Sequence, residues 1–260
     1  MFRRTMITRM SATLLASGMI AAPALAAGPA LSAKPPLTAP ATPEKRSGVL
    51  TLAGGAFAYL PKGMTGAKMP LLVYFVGAGG QPRDVLTAYR DHADREGFVL
   101  LIPSPKGATW DMVDNLSRRI GIEMNVTPRY GRDLKAFDTS LTDLFGKVAI
   151  DPKRIAVIGF SNGATYALSV GTANPQLFSA VLALSPGPAF PTRFDPAQRV
   201  FISHGESDEV LPFSYTRGVV AKLRVRKMQV DFMPFKGKHE IPAEARTRAL
   251  EVFLGRPLKG

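Results

Sequence analysis

The chain has no cysteine in its 260 residues, which excludes disulfides, thiolate metal sites and lipidated cysteine. Histidine is scarce as well: only His92, His204 and His239 could serve as an imidazole base, and Trp110 is the single tryptophan. Acidic residues are outnumbered, 20 against 33 lysines and arginines, for a formal net charge of +13. No apolar run is long enough to stay in a bilayer after processing, and no internal repeat points to a solenoid.

The positive charge gathers at Arg118-Arg119, at Arg129, Arg132 and Lys135, and at Lys222 to Lys227. A nucleic-acid partner is not expected, because no aromatic-interleaved basic motif accompanies these clusters. A solvated basic surface and attraction to anionic polymers or substrates both stay open.

At the N-terminus Arg3, Arg4 and Arg9 precede the apolar stretch Met10 to Ile20, and Ala24-Leu25-Ala26 offers a small-x-small cleavage site. Residues 1–26 are therefore expected to be a secretory signal peptide rather than a permanent membrane anchor. Residues 27–46, rich in proline, alanine and other small residues, are expected to be a disordered tether. A folded domain is expected over residues 47–260. Export without cysteine suits a periplasmic or secreted protein.

Six apolar runs read as buried strands: 71–76, 98–102, 155–158, 180–184, 200–203 and 229–233. Between them lie helical segments at 82–96, 133–145, 162–172, 215–223 and 243–254, and residues 47–61 resemble an edge hairpin. Strands apolar on both faces imply a mostly parallel, doubly wound α/β sheet with helices on both sides.

Gly159-Phe160-Ser161-Asn162-Gly163 lies between the 155–158 strand and the 162–172 helix. This is the strand-turn-helix context in which Gly-x-Ser-x-Gly presents a nucleophile on a strained turn. A serine hydroxyl needs a base. His239 lies on the loop after the last strand, at the carboxyl edge where sites of such sheets gather. His92 reads as a surface helix residue. His204, ending the 200–203 strand, reads as a residue that shapes its loop, so His204→Ala is expected to leave most activity. The base needs a carboxylate to orient it, and Glu206, Asp208 and Glu209 follow His204. The chain order serine, acid, histidine matches the α/β-hydrolase order.

The segments GFSNGATYALSVG, HGESDEVLPFSYT and KGKHEIPAEARTRALEVFL resemble the phospholipase/carboxylesterase-type serine hydrolases of the α/β-hydrolase superfamily, near bacterial polyhydroxybutyrate-depolymerase-like and feruloyl-esterase-like esterases. The resemblance covers most of residues 70–255. It implies an α/β-hydrolase fold, assigns the acid to Asp208 through His-Gly-x-x-Asp-x-x-x-Pro closing at Pro212, and assigns the base to His239. By analogy the backbone N–H groups of Ala78 and Asn162 form the oxyanion hole. One departure stands out: Val76 occupies the place where such proteins usually carry a histidine before this loop. Gly77-Ala78-Gly79-Gly80 also resembles a dinucleotide loop, but Gly-x-Gly-x-x-Gly fails at Pro82, so no cofactor is expected, nor a metal.

The expected function is exported hydrolysis of carboxylic esters, small-molecule or polymeric, with Trp110 either a wall of the substrate pocket or a structural anchor. A serine peptidase or amidase on the same fold remains an alternative, as does a non-catalytic binding protein of hydrolase shape.

Overall fold

The computed structural model describes residues 29–119 and 127–256; the signal-peptide expectation falls outside them. An eight-stranded sheet runs in the order β1-β2-β4-β3-β5-β6-β7-β8. The strands are β1 (Gly48–Thr51), β2 (Phe57–Leu60), β3 (Met69–Phe75), β4 (Val99–Ile102), β5 (Ile150–Phe160), β6 (Ala180–Leu184), β7 (Arg199–Gly205) and β8 (Gln229–Phe235). The hairpin β1-β2 is antiparallel and joins β4 antiparallel, while all pairings from β4 to β8 are parallel. The structure thus has the architecture expected from the apolar runs.

Why the central strands are continuous apolar runs is plain from the layers. The helices are α1 (Pro82–Glu96), α2 (Asp111–Arg119), α3 (Arg132–Lys147), α4 (Asn162–Ala173), α5 (Phe213–Val225) and α6 (Ala243–Leu254). Tyr74 packs on Tyr89 of α1, whereas its neighbour Phe75 packs on Phe137 of α3 and Tyr166 of α4. Successive side chains of a strand point to opposite faces, so β3 requires apolar residues at both. Helix α4 is the most enclosed, with every residue from Gly163 to Ala173 buried. The outermost strand β8 is mostly half-exposed and carries Pro234, a residue suited to a strand with one neighbour.

Two expectations need correction. Residues 29–47 contain no helix or strand, yet they are not an unpacked tether: Leu31 and Ala33 are buried. Asn174 accepts from Leu31 N–H at 2.9 Å and donates to Pro29 O at 2.7 Å, and Asp138 accepts from Ala33 N–H at 2.8 Å. Side chains of the domain supply the partners that a proline-broken backbone cannot find in itself. The second correction is α2, which is absent from the helical segments read from the sequence. Gly107 and Pro105 before it obscure the helix, but Met112, Val113 and Leu116 are buried together at a helical spacing.

The chain leaves β3 for β4 on one side and then crosses to β5 on the other side of β3. That reversal opens a crevice at the carboxyl ends of β3 and β5, where ligand sites of doubly wound sheets lie.

Candidate active site

Ser161 sits in this crevice, between the last residue of β5 and the first of α4, at φ 55° and ψ −126°. A non-glycine residue at positive φ costs about 1–3 kcal/mol and persists only where its surroundings hold it. Here the surroundings are backbone. A Cβ on Gly163 would stand 2.1 Å from Phe75 O and 2.5 Å from Val76 O, and one on Gly159 would stand 2.3 Å from Gly163 O. The two glycines let the end of β3 and the start of α4 close on each other. The Ser161 N–H is fixed to Leu184 O at 3.0 Å.

Across the crevice the loops after β7 and β8 are joined by backbone. Glu206 N–H donates to Phe235 O at 2.9 Å and Ser207 N–H to Gly237 O at 3.0 Å. Gly205 permits the approach: a Cβ there would lie 2.2 Å from Lys238 O. This brings His239 beside Asp208 and Ser161. His239 Nδ1 is 2.7 Å from Asp208 Oδ2, and Nε2 is 2.9 Å from Ser161 Oγ. The Phe160 ring lies 4.8 Å from the imidazole.

Of the three acids on the β7 loop only Asp208 turns inward; Glu206 and Glu209 are exposed, with Glu209 pairing Lys238 at 3.5 Å. Asp208 Oδ1 accepts from Val210 N–H at 2.9 Å and Leu211 N–H at 2.8 Å. Burial works to raise the Asp208 pKa, but the Leu211 N–H, the His239 ring and the Val210 N–H outweigh it and hold the carboxyl below its ordinary value. The acid is therefore ionised beside the imidazole at neutral pH. Sequence reasoning did not foresee that His204 also reaches this carboxylate, with Nε2 3.1 Å from Asp208 Oδ2; its place at the end of β7, four residues before the acid, was the available signal. His92 lies apart on α1, where Nδ1 accepts from Arg95 at 2.7 Å.

The loop after β3 faces Ser161 from the other side, with an ideal Gly77 Cβ only 3.3 Å from Ser161 Cβ. Among the described residues the Ala78 N–H has no acceptor in the fold. The Asn162 N–H, at the first position of α4, has no intrahelical partner. Both are free to receive a developing negative charge, and the α4 dipole favours one there.

Trp110 does not line a pocket. It is fully buried, stacks on Tyr166 at 4.5 Å and meets Phe75 edge-on at 5.1 Å. Its indole N–H donates to Val76 O at 2.8 Å. Gly79 N–H donates to Ala108 O at 3.2 Å, and Asn162 Nδ2 to Thr109 Oγ1 at 3.1 Å. The segment around Trp110 thus braces the loop whose usual histidine is replaced by Val76. The aromatic ring belongs in the core because its one polar atom finds a partner there.

Beside the nucleophile opens a cleft of about 220 Å³ bounded by Val76, Gly77, Gly80, Phe160 and Ile241, with Asp84 and Arg246 at its polar end. A second, more apolar cleft of about 290 Å³ between Phe57, Tyr59, Pro82 and Leu86 adjoins it through Gln81; Ser161, His239 and Asp208 line neither. Among the described residues no cluster of His, Asp and Glu could hold a metal ion.

Comparison with known proteins agrees with this architecture. Residues 132–254 match the family model for phospholipase/carboxylesterase. An acetylxylan esterase from Coprinopsis cinerea is 27% identical over 158 residues, covering 55% of this chain and 40% of the esterase, so the match spans well under half of that relative. The α/β hydrolase MGS-M1, from a Medee basin deep-sea metagenome, superposes with a TM-score of 0.58 at 22% identity, covering 82% of this chain and 100% of that one. A thermostable esterase superposes with a TM-score of 0.60 at 21% identity, over 77% of this chain and 58% of its own. The sheet is that of an α/β-hydrolase fold, and the second half of the chain is similar to the phospholipase/carboxylesterase family.

Proposed function

We propose that the protein is an exported serine hydrolase of carboxylic esters in which Ser161, His239 and Asp208 act as nucleophile, base and orienting acid. The observation that carries the reading is the continuous chain of 2.9 and 2.7 Å contacts ending on a serine held at positive φ. His239 Nε2 takes the Ser161 proton as Oγ attacks the ester carbonyl. The Ala78 and Asn162 N–H groups receive the oxyanion. The imidazolium then protonates the departing alcohol, and water, deprotonated by the same nitrogen, releases the acid and restores Ser161.

The cleft beside Ser161 is below the roughly 300–1,000 Å³ of drug-sized pockets and favours short acyl groups. A fluorophosphonate tests the nucleophile directly: wild type should be labelled at Ser161, and Ser161→Ala should neither label nor hydrolyse esters while remaining folded. A folded, hydrolytically active Ser161→Ala would sink the reading. An ester panel of graded acyl length, with aryl, hydroxycinnamoyl and polyester members, should show a preference for short acyl chains. Export rests on the N-terminal charge and apolar pattern, and mass spectrometry of the mature protein should find a new N-terminus near Ala27.

A further inference from the structure

His204 is the buried histidine that the mechanism above leaves unused, and its side chain is wholly shielded from solvent. Its Nε2 lies 3.1 Å from Asp208 Oδ2 and 2.9 Å from Leu211 O. Its Nδ1 lies 2.6 Å from Thr216 Oγ1, and Phe213 packs edge-on at 5.7 Å. Both atoms facing Nε2 are acceptors, since Asp208 is ionised, so Nε2 carries a proton. The Thr216 hydroxyl, 2.6 Å from Nδ1 and 3.4 Å from its other acceptor, Pro186 O, can donate its one proton to the nearer Nδ1, which completes a neutral ring with both nitrogens satisfied. Burial, the largest influence, keeps the His204 pKa below its ordinary value against the pull of Leu211 and Asp208.

The Asp208 carboxylate consequently has three hydrogen-bond donors and the His204 ring beside it. Val210 and Leu211 N–H hold Oδ1, His239 holds Oδ2, and His204 Nε2, whose N–H donates to Leu211 O, lies 3.1 Å from Oδ2. Without His204, Oδ2 would be held by His239 alone, leaving the carboxylate more freedom to tilt away from the imidazole. His204 removes that freedom, and through Leu211 O it fixes the loop carrying the Oδ1 donors as well.

We propose that His204 is a positioning residue for the acid of the site: its Nε2–H, bonded to Leu211 O and 3.1 Å from Asp208 Oδ2, holds the acid and its loop against His239. The inference rests on reading Ser161, His239 and Asp208 as a serine-hydrolase triad, and it reverses the expectation that His204 is dispensable. His204 touches neither substrate nor nucleophile, so it acts on the rate of the chemical step rather than on substrate binding.

The test is the second-order rate of Ser161 labelling by an alkyl fluorophosphonate, a probe that requires no knowledge of the natural ester. His204→Phe keeps the ring volume and removes the donor; it should label about ten- to a hundredfold more slowly, the range seen when groups orienting a functional residue are lost. His204→Gln places an amide donor near the position of Nε2 and should label within about threefold of wild type. Thr216→Val, which removes only the partner of Nδ1, should lie between them and also serves if the phenylalanine variant does not fold. With an ester substrate the loss should fall on kcat, with KM little changed. A folded His204→Phe that labels at the wild-type rate overturns the proposal, as does a glutamine variant as slow as phenylalanine, or a Thr216→Val at wild-type rate where phenylalanine does not fold. Wild type that takes no label overturns the triad reading itself, which separates the two failures.

Discussion

The two sides of the nucleophile are held in place by different means. On the acid–base side, the loops after β7 and β8 are joined by main-chain hydrogen bonds at Glu206 and Ser207, and Gly205 lets them touch. On the oxyanion side, the loop from Val76 to Gln81 depends on the segment around Trp110: one indole N–H to Val76 O and one bond from Gly79 N–H to Ala108 O. The loops that carry the proton-transfer groups are thus joined by backbone that almost any sequence could supply once the glycine is present, with the His204 side chain set beside Asp208. The charge-stabilising geometry leans on a single side chain, and should be the easier of the two to loosen without unfolding the domain.

The largest effect should come from the acid. Asp208→Asn keeps the shape of the side chain but removes the charge and favours the wrong tautomer of His239; a loss in kcat of about 10⁴ is expected from equivalent changes in serine proteases. Measured ester hydrolysis should fall by that order while thermal unfolding shifts by only a few degrees.

On the oxyanion side the same measurement should give a smaller number. Trp110→Phe preserves an aromatic ring against Tyr166 but leaves Val76 O buried without its donor, at a cost of about 1–3 kcal/mol in stability. The oxyanion N–H groups remain, so kcat should fall by about tenfold, less than the 10²–10³ that follows removal of a donor outright. Trp110→Ala adds a cavity and should cost about 3–5 kcal/mol. Should Trp110→Phe lower kcat as far as Asp208→Asn does, the comparison fails, because the oxyanion loop would then be no more tolerant than the acid loop.

The same division decides what could be read from the chain. Apolar runs located β3 to β7, because burial on both faces leaves little room for polar residues, and also the half-exposed edge strand β8; helices 82–96 and 243–254 match the observed bounds of α1 and α6. The turn at Ser161 was legible because its glycines are sterically required. Asp208, His239 and Ser161 were legible as candidates by order and by loop. Their actual separations, and the choice of Asp208 over Glu206 and Glu209, depend on which side chain turns inward, and that is a product of packing. For Trp110 the sequence leaves pocket wall and structural anchor both open for the same reason: a tryptophan in a post-strand segment does not reveal whether its N–H will find a carbonyl in the core. The segment 29–47 was misjudged because its composition describes the backbone alone, while its anchors, Asp138 and Asn174, lie more than a hundred residues away.

The smallest expected effect separates the two groups that meet at the acid. Asp208 has a depressed pKa in the fold, so the unfolded chain binds its proton first; the stability from its ionisation is full above about pH 4 and is lost as pH falls through the folded value. His204 is also depressed, chiefly by burial, and the sign is the same but the window is higher. Its stability contribution is full above about pH 6.5, the ordinary histidine value, and declines below it because the unfolded state takes up the proton more readily. His204→Gln removes this titration while keeping a donor toward Asp208. The unfolding temperature of wild type should therefore fall more steeply than that of His204→Gln between about pH 6.5 and pH 5, with the two curves parallel above that range. His92, which is likewise lowered by burial, is present in both proteins and cancels in the difference. Parallel curves throughout would mean that His204 is not held neutral beside Asp208, and the acid–base side would then owe less to its buried histidine than the distances imply.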